Sequence, residues 1–231
     1  PYPAPRPPWI YRDGHIISPS DEAFERSRRD IAHGDRIPVV AAGSNRAPEQ
    51  LRRKFGDDAL FPVSTVRLRD VETVYSAHFA SYGSVPATLV RSPGTELDTA
   101  VLWLTDDQLE QMNRTEALGL NYRLGWIERK TRSARFGLTA DSMAGYLSLH
   151  GAVTDDDGIP VPVAGFRRRG SRGVPLDQAG VSSLCRNRLA PDHDEAGFIR
   201  TLIADEGRRT EWRDRLKALS MAADAAFWPS R

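Results

Sequence analysis

Ile37-Pro38-Val39-Val40-Ala41-Ala42-Gly43-Ser44-Asn45, followed by Ala47-Pro48-Glu49-Gln50-Leu51, is the stretch on which the reading of this chain turns. The apolar run predicts a buried strand, and Gly43-Ser44-Asn45 a tight turn at its end. Pro48 suits the first turn of a helix, where a missing N–H is no loss, and Leu51 and Phe55 fall four apart on one face. The element is therefore strand, glycine turn, short helix. Glycine lets a backbone approach a ligand closely, and successive N–H groups near a helix start attract an anion or a developing oxyanion.

Downstream, strands are predicted at 62–68, 72–79, 87–91 and 98–104. Thr105-Asp106-Asp107-Gln108 is a capping box for a short helix with Leu109 and Met112 on its apolar side, and Glu116 lies just past it. Further strands are expected around 121–131 and 142–151, with a turn at Asp155-Asp156-Asp157-Gly158. The tail from about 194 to 227 has helical spacing of Phe198, Leu202, Trp212, Leu216 and Leu219. At the other end, Pro1 to Pro8 reads as an extended arm and 19–33 as a helix opened by Ser18-Pro19-Ser20-Asp21. Many short strands, few helices and no βαβ alternation indicate an α+β chain with a compact, barrel-like sheet. The expected organisation is an N-terminal arm and helix over 1–35, a barrel domain over 36–170 and a C-terminal helical extension over 171–231.

Composition narrows the function classes. A chain of 231 residues, 40% hydrophobic, supports one domain with a core plus extensions. Its 32 Lys plus Arg balance 31 Asp plus Glu, which argues against nucleic acid as a partner. No apolar run approaches the roughly 20 residues that span a bilayer, so no membrane role is expected. The lone Cys185 excludes an internal disulfide and makes a reducing cytoplasm the default location. The sequence leaves the oligomeric state open.

The segment Val39-Val40-Ala41-Ala42-Gly43-Ser44-Asn45 with Pro48-Glu49-Gln50-Leu51 resembles the Tyr-Gly-Ser-Asn signature of the γ-glutamylcyclotransferase family. A second run strengthens the likeness: Val85-Pro86-Ala87-Thr88-Leu89-Val90, Pro93-Gly94-Thr95, Leu102-Trp103-Leu104-Thr105, then Thr115-Glu116 and Tyr122. It is similar to the family's Pro-Ala-Thr strand, Pro-Gly turn, strand, short helix, and glutamate followed by tyrosine. The likeness covers roughly 37–170. It implies a small mixed β-barrel with helices around it and a cavity at one end. It also implies a reaction, cyclisation of a γ-glutamyl amide or amine to 5-oxoproline with release of the free amine, and no metal or cofactor.

In that reaction the substrate's own α-amino group attacks its γ-carbonyl, so the protein supplies proton transfer rather than a nucleophile. A single partly desolvated carboxylate can take a proton from the α-ammonium and return one to the departing amine. The resemblance makes Glu116 that residue, and Ala42, Gly43, Ser44, Asn45 and Tyr122 the substrate-binding set. Tyr122 lines the pocket in this reading and packs as a strand tyrosine in the plainer one; Arg46 adds charge to the site or is solvated. Ala42 departs from the family, which has tyrosine there. Two alternatives stay open: a small-molecule-binding module of the same fold without turnover, or a related amide-cleaving enzyme of secondary metabolism.

Other conspicuous residues have plainer readings. Cys185 is expected to be buried and inert. Asp192-His193-Asp194-Glu195 reads as a helix start with Asp194 as cap rather than a metal site, and His78 and His150 as satisfied core histidines. Arg167-Arg168-Arg169 with Arg172 reads as a solvated basic loop, and Tyr82-Gly83-Ser84 as a turn.

Overall fold

The computed structural model describes residues 6–31, 35–224 and 228. The chain is α+β, and it divides into two compact units that are each discontinuous in sequence, whereas the expected segments are consecutive. The first comprises Pro1–Leu68, Asp98–Leu147 and Trp228–Arg231, the second Arg69–Leu97 and Ser148–Phe227.

In the first unit, β3 (Ile37–Ala41) is an interior strand, which is why its residues are apolar on both faces. It pairs antiparallel with the end of β5 (Ala87–Leu104), Val40 opposite Val101 and Ala41 opposite Ala100. On its other side it pairs parallel with β9 (Met143–Ser148), Val39 opposite Ala144. The helix α2 (Pro48–Phe55) follows the turn with Pro48 in its first turn, and it buries Leu51 and Phe55 as their spacing requires. The helix α3 (Asp106–Thr115) starts on the expected capping box. Gln108 N–H donates to Thr105 Oγ1 at 3.3 Å, and Thr105 N–H donates to Gln108 Oε1 at 3.0 Å.

The N-terminal region is more than an accessory arm. Its first residues, 1–5, lie outside the described ones. Next, β1 (Trp9–Arg12) and β2 (His15–Ile17) form a hairpin around Asp13 and Gly14, both at positive φ (50° and 76°). An Asp-Gly pair in this conformation matches the twist of the flanking strands. β1 then joins the sheet beside β4 (Leu60–Tyr75), Trp9 opposite Val63 and Tyr11 opposite Phe61. Trp9 and Tyr11 are core residues, and the Tyr11 and Phe61 rings stack with centroids 5.0 Å apart. The helix α1 (Phe24–Ile31) begins later than expected and buries Phe24 and Ile31 against Ile10 and Phe136. The strand order through this unit is β2-β1-β4-β5-β3-β9-β6, with β6 spanning Tyr122–Ile127. A separate pair, β7 (Thr131–Ser133) and β8 (Leu138–Ala140), stands apart from it.

The expected breaks at 69–71 and 92–97 do not end strands; β4 and β5 run through both units. In the second unit Asp70 (φ 60°) and Gly94 (φ 82°) take left-handed backbone conformations, and Asp70 Oδ1 accepts the Gly94 N–H at 2.8 Å. The Pro93-Gly94 signal is thus absorbed as an irregularity whose exposed donor finds an aspartate. The basic run is likewise structured: β10 (Arg167–Arg169) pairs with β5, and Arg168 Nε meets Glu72 Oε1 at 3.1 Å in a buried ion pair. The run is thus a strand rather than a loop and Arg168 is largely buried, while Arg167, Arg169 and Arg172 are solvated as expected.

Three helices complete this unit: α4 (Gln178–Leu189), α5 (Glu195–Ala204) and α6 (Glu206–Ala218). Each opens on an aspartate, Asp177, Asp194 and Asp205, whose side chain accepts the N–H three residues on. Asp205 both ends α5 and caps α6, so the tail is two helices rather than one. Their core holds Val181, Cys185, Phe198, Leu202, Trp212 and Leu216, with Phe198 stacked on Trp212 at 4.9 Å. Burial pushes the Cys185 thiol up to about 12, which keeps it protonated and unreactive at neutral pH. Tyr82-Gly83-Ser84 is a turn, closed by Ala80 N–H to Ser84 O and Gly83 N–H to Ala80 O, both 2.9 Å.

His78 and His150 are buried in this unit with ring centroids 4.9 Å apart, and His78 Nδ1 lies 2.6 Å from Ser76 Oγ. Burial, then the neighbouring His150 and Arg213, hold His78 down from 6.5 to about 3. Between those values the unfolded chain binds a proton that the folded chain refuses. The contribution of His78 to stability is therefore complete above about pH 6.5 and is lost as pH drops toward 3, by at most about 1.4 kcal/mol per pH unit. Urea melts between pH 6.5 and 5 should show this slope in the wild type and a flatter one in His78→Gln; parallel slopes would contradict it.

Candidate active site

The turn that ends β3 is built by local geometry. Gly43 precedes a single 3-10 turn, Ser44–Arg46, closed by hydrogen bonds from Arg46 N to Gly43 O (3.4 Å) and Ala47 N to Ser44 O (2.8 Å). The closing donors are Arg46 and Ala47, so the turn itself does not consume the N–H groups of Gly43, Ser44 and Asn45. Ala42 is buried and presents only a methyl group where the family signature has a phenol.

Glu116 is the C-cap of α3. The chain reverses just after it through Ala117 (φ 47°) and Gly119 (φ 80°). A left-handed alanine is disfavoured, and its carbonyl is correspondingly well held, accepting from Leu120 N at 3.1 Å and Asn121 N at 2.9 Å. Gly119 N–H donates to Tyr122 O at 2.8 Å and ties the reversal to the start of β6. The side chain of Glu116 is thereby aimed from a fixed helix end rather than a loose loop.

The two segments meet. Asn45 Nδ2 donates to Glu116 Oε1 at 2.7 Å, and Lys54 Nζ donates to the same oxygen. Both charged side chains are withdrawn from water, 7% of Lys54 and 12% of Glu116 remaining exposed. Lys54 lies in the last turn of α2, at the edge of the face that buries Leu51 and Phe55. Its backbone is fixed to α3 by Gln111 Nε2, which donates to Lys54 O at 3.0 Å. Both bonds fall on Oε1, and Oε2 lies outside this triad.

Tyr122 is buried in the core of the same unit, in the cluster that also holds Ala41, Met112 and Tyr146. Tyr146, on β9, donates its hydroxyl to Asn113 Oδ1 at 2.6 Å. Burial first, and the negative charge of Glu116 second, drive this phenol well above its ordinary range, so it remains a hydrogen-bond donor at any working pH. Neither Lys54 nor Tyr146 belongs to the expected set. Lys54 carries one faint signal: in a chain with three lysines and 29 arginines, a lysine follows two arginines on an amphipathic helix. Among the described residues no group of three or more His, Cys, Asp or Glu is arranged to hold a metal ion.

No family model and no curated protein matches the chain. Solved structures similar to it include a gamma-glutamyl cyclotransferase, 18% identical over 81% of this chain and 89% of that one, TM-score 0.39. A protein from Arabidopsis thaliana, known from a solution structure, is 17% identical over 54% and 74%, TM-score 0.38. An uncharacterized protein from Homo sapiens is 15% identical over 86% and 94%, TM-score 0.39. Superpositions at this level leave the chemistry of the site to its own geometry.

A charge pair this far out of water is held together by mutual compensation, and removing one partner strands the other. Lys54→Met should therefore cost about 3 kcal/mol or more of unfolding free energy, and Lys54→Met with Glu116→Leu should recover most of it. Chemical denaturation of the cycle measures this; a single-variant cost below about 1 kcal/mol, as for an exposed pair, would contradict burial of the triad.

Proposed function

We propose that this site performs cofactor-independent cyclisation of a γ-glutamyl amide or amine to 5-oxoproline with release of the free amine. The observation that carries this reading is a nearly buried carboxylate, Glu116, hydrogen-bonded at 2.7 Å to Asn45 of the glycine turn. Fixed by Asn45 and Lys54 through Oε1, Glu116 uses Oε2 for proton transfer. It accepts a proton from the substrate's α-ammonium; the freed α-nitrogen bonds to the γ-carbonyl carbon; the proton on Glu116 passes to the departing nitrogen as its bond to that carbon breaks; and the surplus proton on the new ring nitrogen passes through Glu116 to the released amine, which leaves as an ammonium. Charge developing on the γ-carbonyl oxygen is met by the N–H groups of Gly43, Ser44 and Asn45. Tyr122 contributes a wall of the pocket.

The finer architecture belongs to the same proposal. The sheet is read as a small barrel with a cavity at one end, and the protein as a cytoplasmic enzyme acting on a small molecule. Among the described residues no helix is long and apolar enough to cross a membrane. Ala42 favours a second reading, a binding module of the same fold, because the phenol of the family signature is missing from the position beside Gly43.

A panel of γ-glutamyl amides and amines, assayed for 5-oxoproline, tests the reaction. The wild type should turn over at least one member, and Glu116→Gln, assayed at a temperature where circular dichroism shows it folded, should lower that rate by about 10²- to 10⁴-fold. An unchanged rate in Glu116→Gln would overturn the assignment. Ala42→Tyr then separates the two readings: gained turnover favours an enzyme redirected by the smaller side chain, and retained ligand binding without turnover favours the module.

A further inference from the structure

Lys54 and Glu116 are two opposite charges held in contact and shielded from water, and neither is a surface ornament. An α-amino-acid head group is the same pattern inverted, a carboxylate beside an ammonium. We propose that Lys54 is a specificity-determining residue that reads the α-carboxylate of the substrate while Glu116 receives the α-ammonium. A ligand with a complete α-amino-acid head then exchanges one ion pair for two. The inference rests on the reading of Glu116 as the proton-transfer group of a γ-glutamyl site.

Charge balance through the reaction gives the same answer. Before proton transfer Lys54 is positive, Glu116 negative and the α-amino-acid head neutral overall. After transfer Glu116 is neutral and the head, now an amine with a carboxylate, is negative. With that carboxylate beside it, Lys54 is compensated at both stages. Without it, the ammonium stands alone in a site 7% exposed at the moment the α-nitrogen becomes nucleophilic, at a heavy cost in free energy. The carboxylate therefore contributes to the rate as well as to binding.

The side-chain type fits this task. Twenty-nine of the 32 cationic residues are arginine, yet the one against Glu116 is lysine. A guanidinium binds a carboxylate through a planar fork and would clamp Glu116. An ammonium is a compact charge with three donors on a flexible stem, which can keep one donor on Glu116 and turn another to an incoming carboxylate. Gln111 holds the Lys54 backbone and Asn45 holds Glu116 Oε1, so only the lysine stem needs to move.

The test pairs γ-L-glutamyl-n-butylamide with 4-amino-N-butylbutanamide, the same amide without the α-carboxylate. Calorimetric titration of the wild type should favour the carboxylate-bearing probe by on the order of 10- to 100-fold, the range for a charge-assisted hydrogen bond. Lys54→Met should bring the ratio near one. Lys54→Arg, which keeps the positive charge, should retain the preference but slow any turnover at unchanged probe binding. Equal affinity of the wild type for the two probes, or binding of neither, overturns the proposal, as does a preference that survives in Lys54→Met. If Lys54→Met does not fold, the wild-type ratio decides. Discrimination without 5-oxoproline formation would leave Lys54 as the carboxylate reader and remove only the cyclotransferase reading.

Discussion

The candidate site depends on one interaction: the contact of Lys54 and Glu116 beneath the side chain of Asn45. Separately, each charge would be drawn to water. Together they require α2 and α3 to hold a fixed spacing, and the hydrogen bond from Gln111 to Lys54 O sets the same spacing on the backbone. The apolar faces of the helices, Leu51 and Phe55 on one and Leu109 and Met112 on the other, supply the burial that makes the pair costly to separate.

Placement of the triad follows from β3. As an interior strand with a partner on each side it cannot slide without moving the whole core from one face to the other, so its end is a fixed point from which the glycine turn departs. α3 is equally constrained, by a capping box at its start and a left-handed Ala117 just after its end. A carboxylate delivered between two such anchors needs little ordering when a ligand arrives, which is the condition for efficient proton transfer.

Much of this was legible in the chain. The apolar run into Gly43, Pro48 at a helix start and the Thr105–Gln108 capping box are local signals, and each corresponds to the element it predicts. The proximity of Asn45 and Glu116 was expected only through the family resemblance. Lys54 was not foreseen, because a lysine among arginines on an amphipathic helix becomes a buried partner only once α2 packs on α3. Tyr146 was hidden for the same reason, since its bond to Asn113 joins a strand to a helix 33 residues away in sequence. The N-terminal hairpin has a readable Asp13-Gly14 turn, but its strands are short and preceded by prolines, which hides it. The continuity of β4 and β5 is not legible locally, because it depends on Asp70 and Gly94 satisfying each other across the strands, which removes the usual reason for a strand to stop.

The most direct measurement is a crystal structure of Glu116→Gln soaked with a γ-glutamyl amide. The ligand's α-nitrogen should lie within about 3.2 Å of the residue-116 side chain, with its α-carboxylate on Lys54 and its γ-carbonyl oxygen facing the Gly43–Asn45 turn. A ligand bound elsewhere, or one whose α-nitrogen points away from residue 116 with Lys54 unengaged, would contradict it.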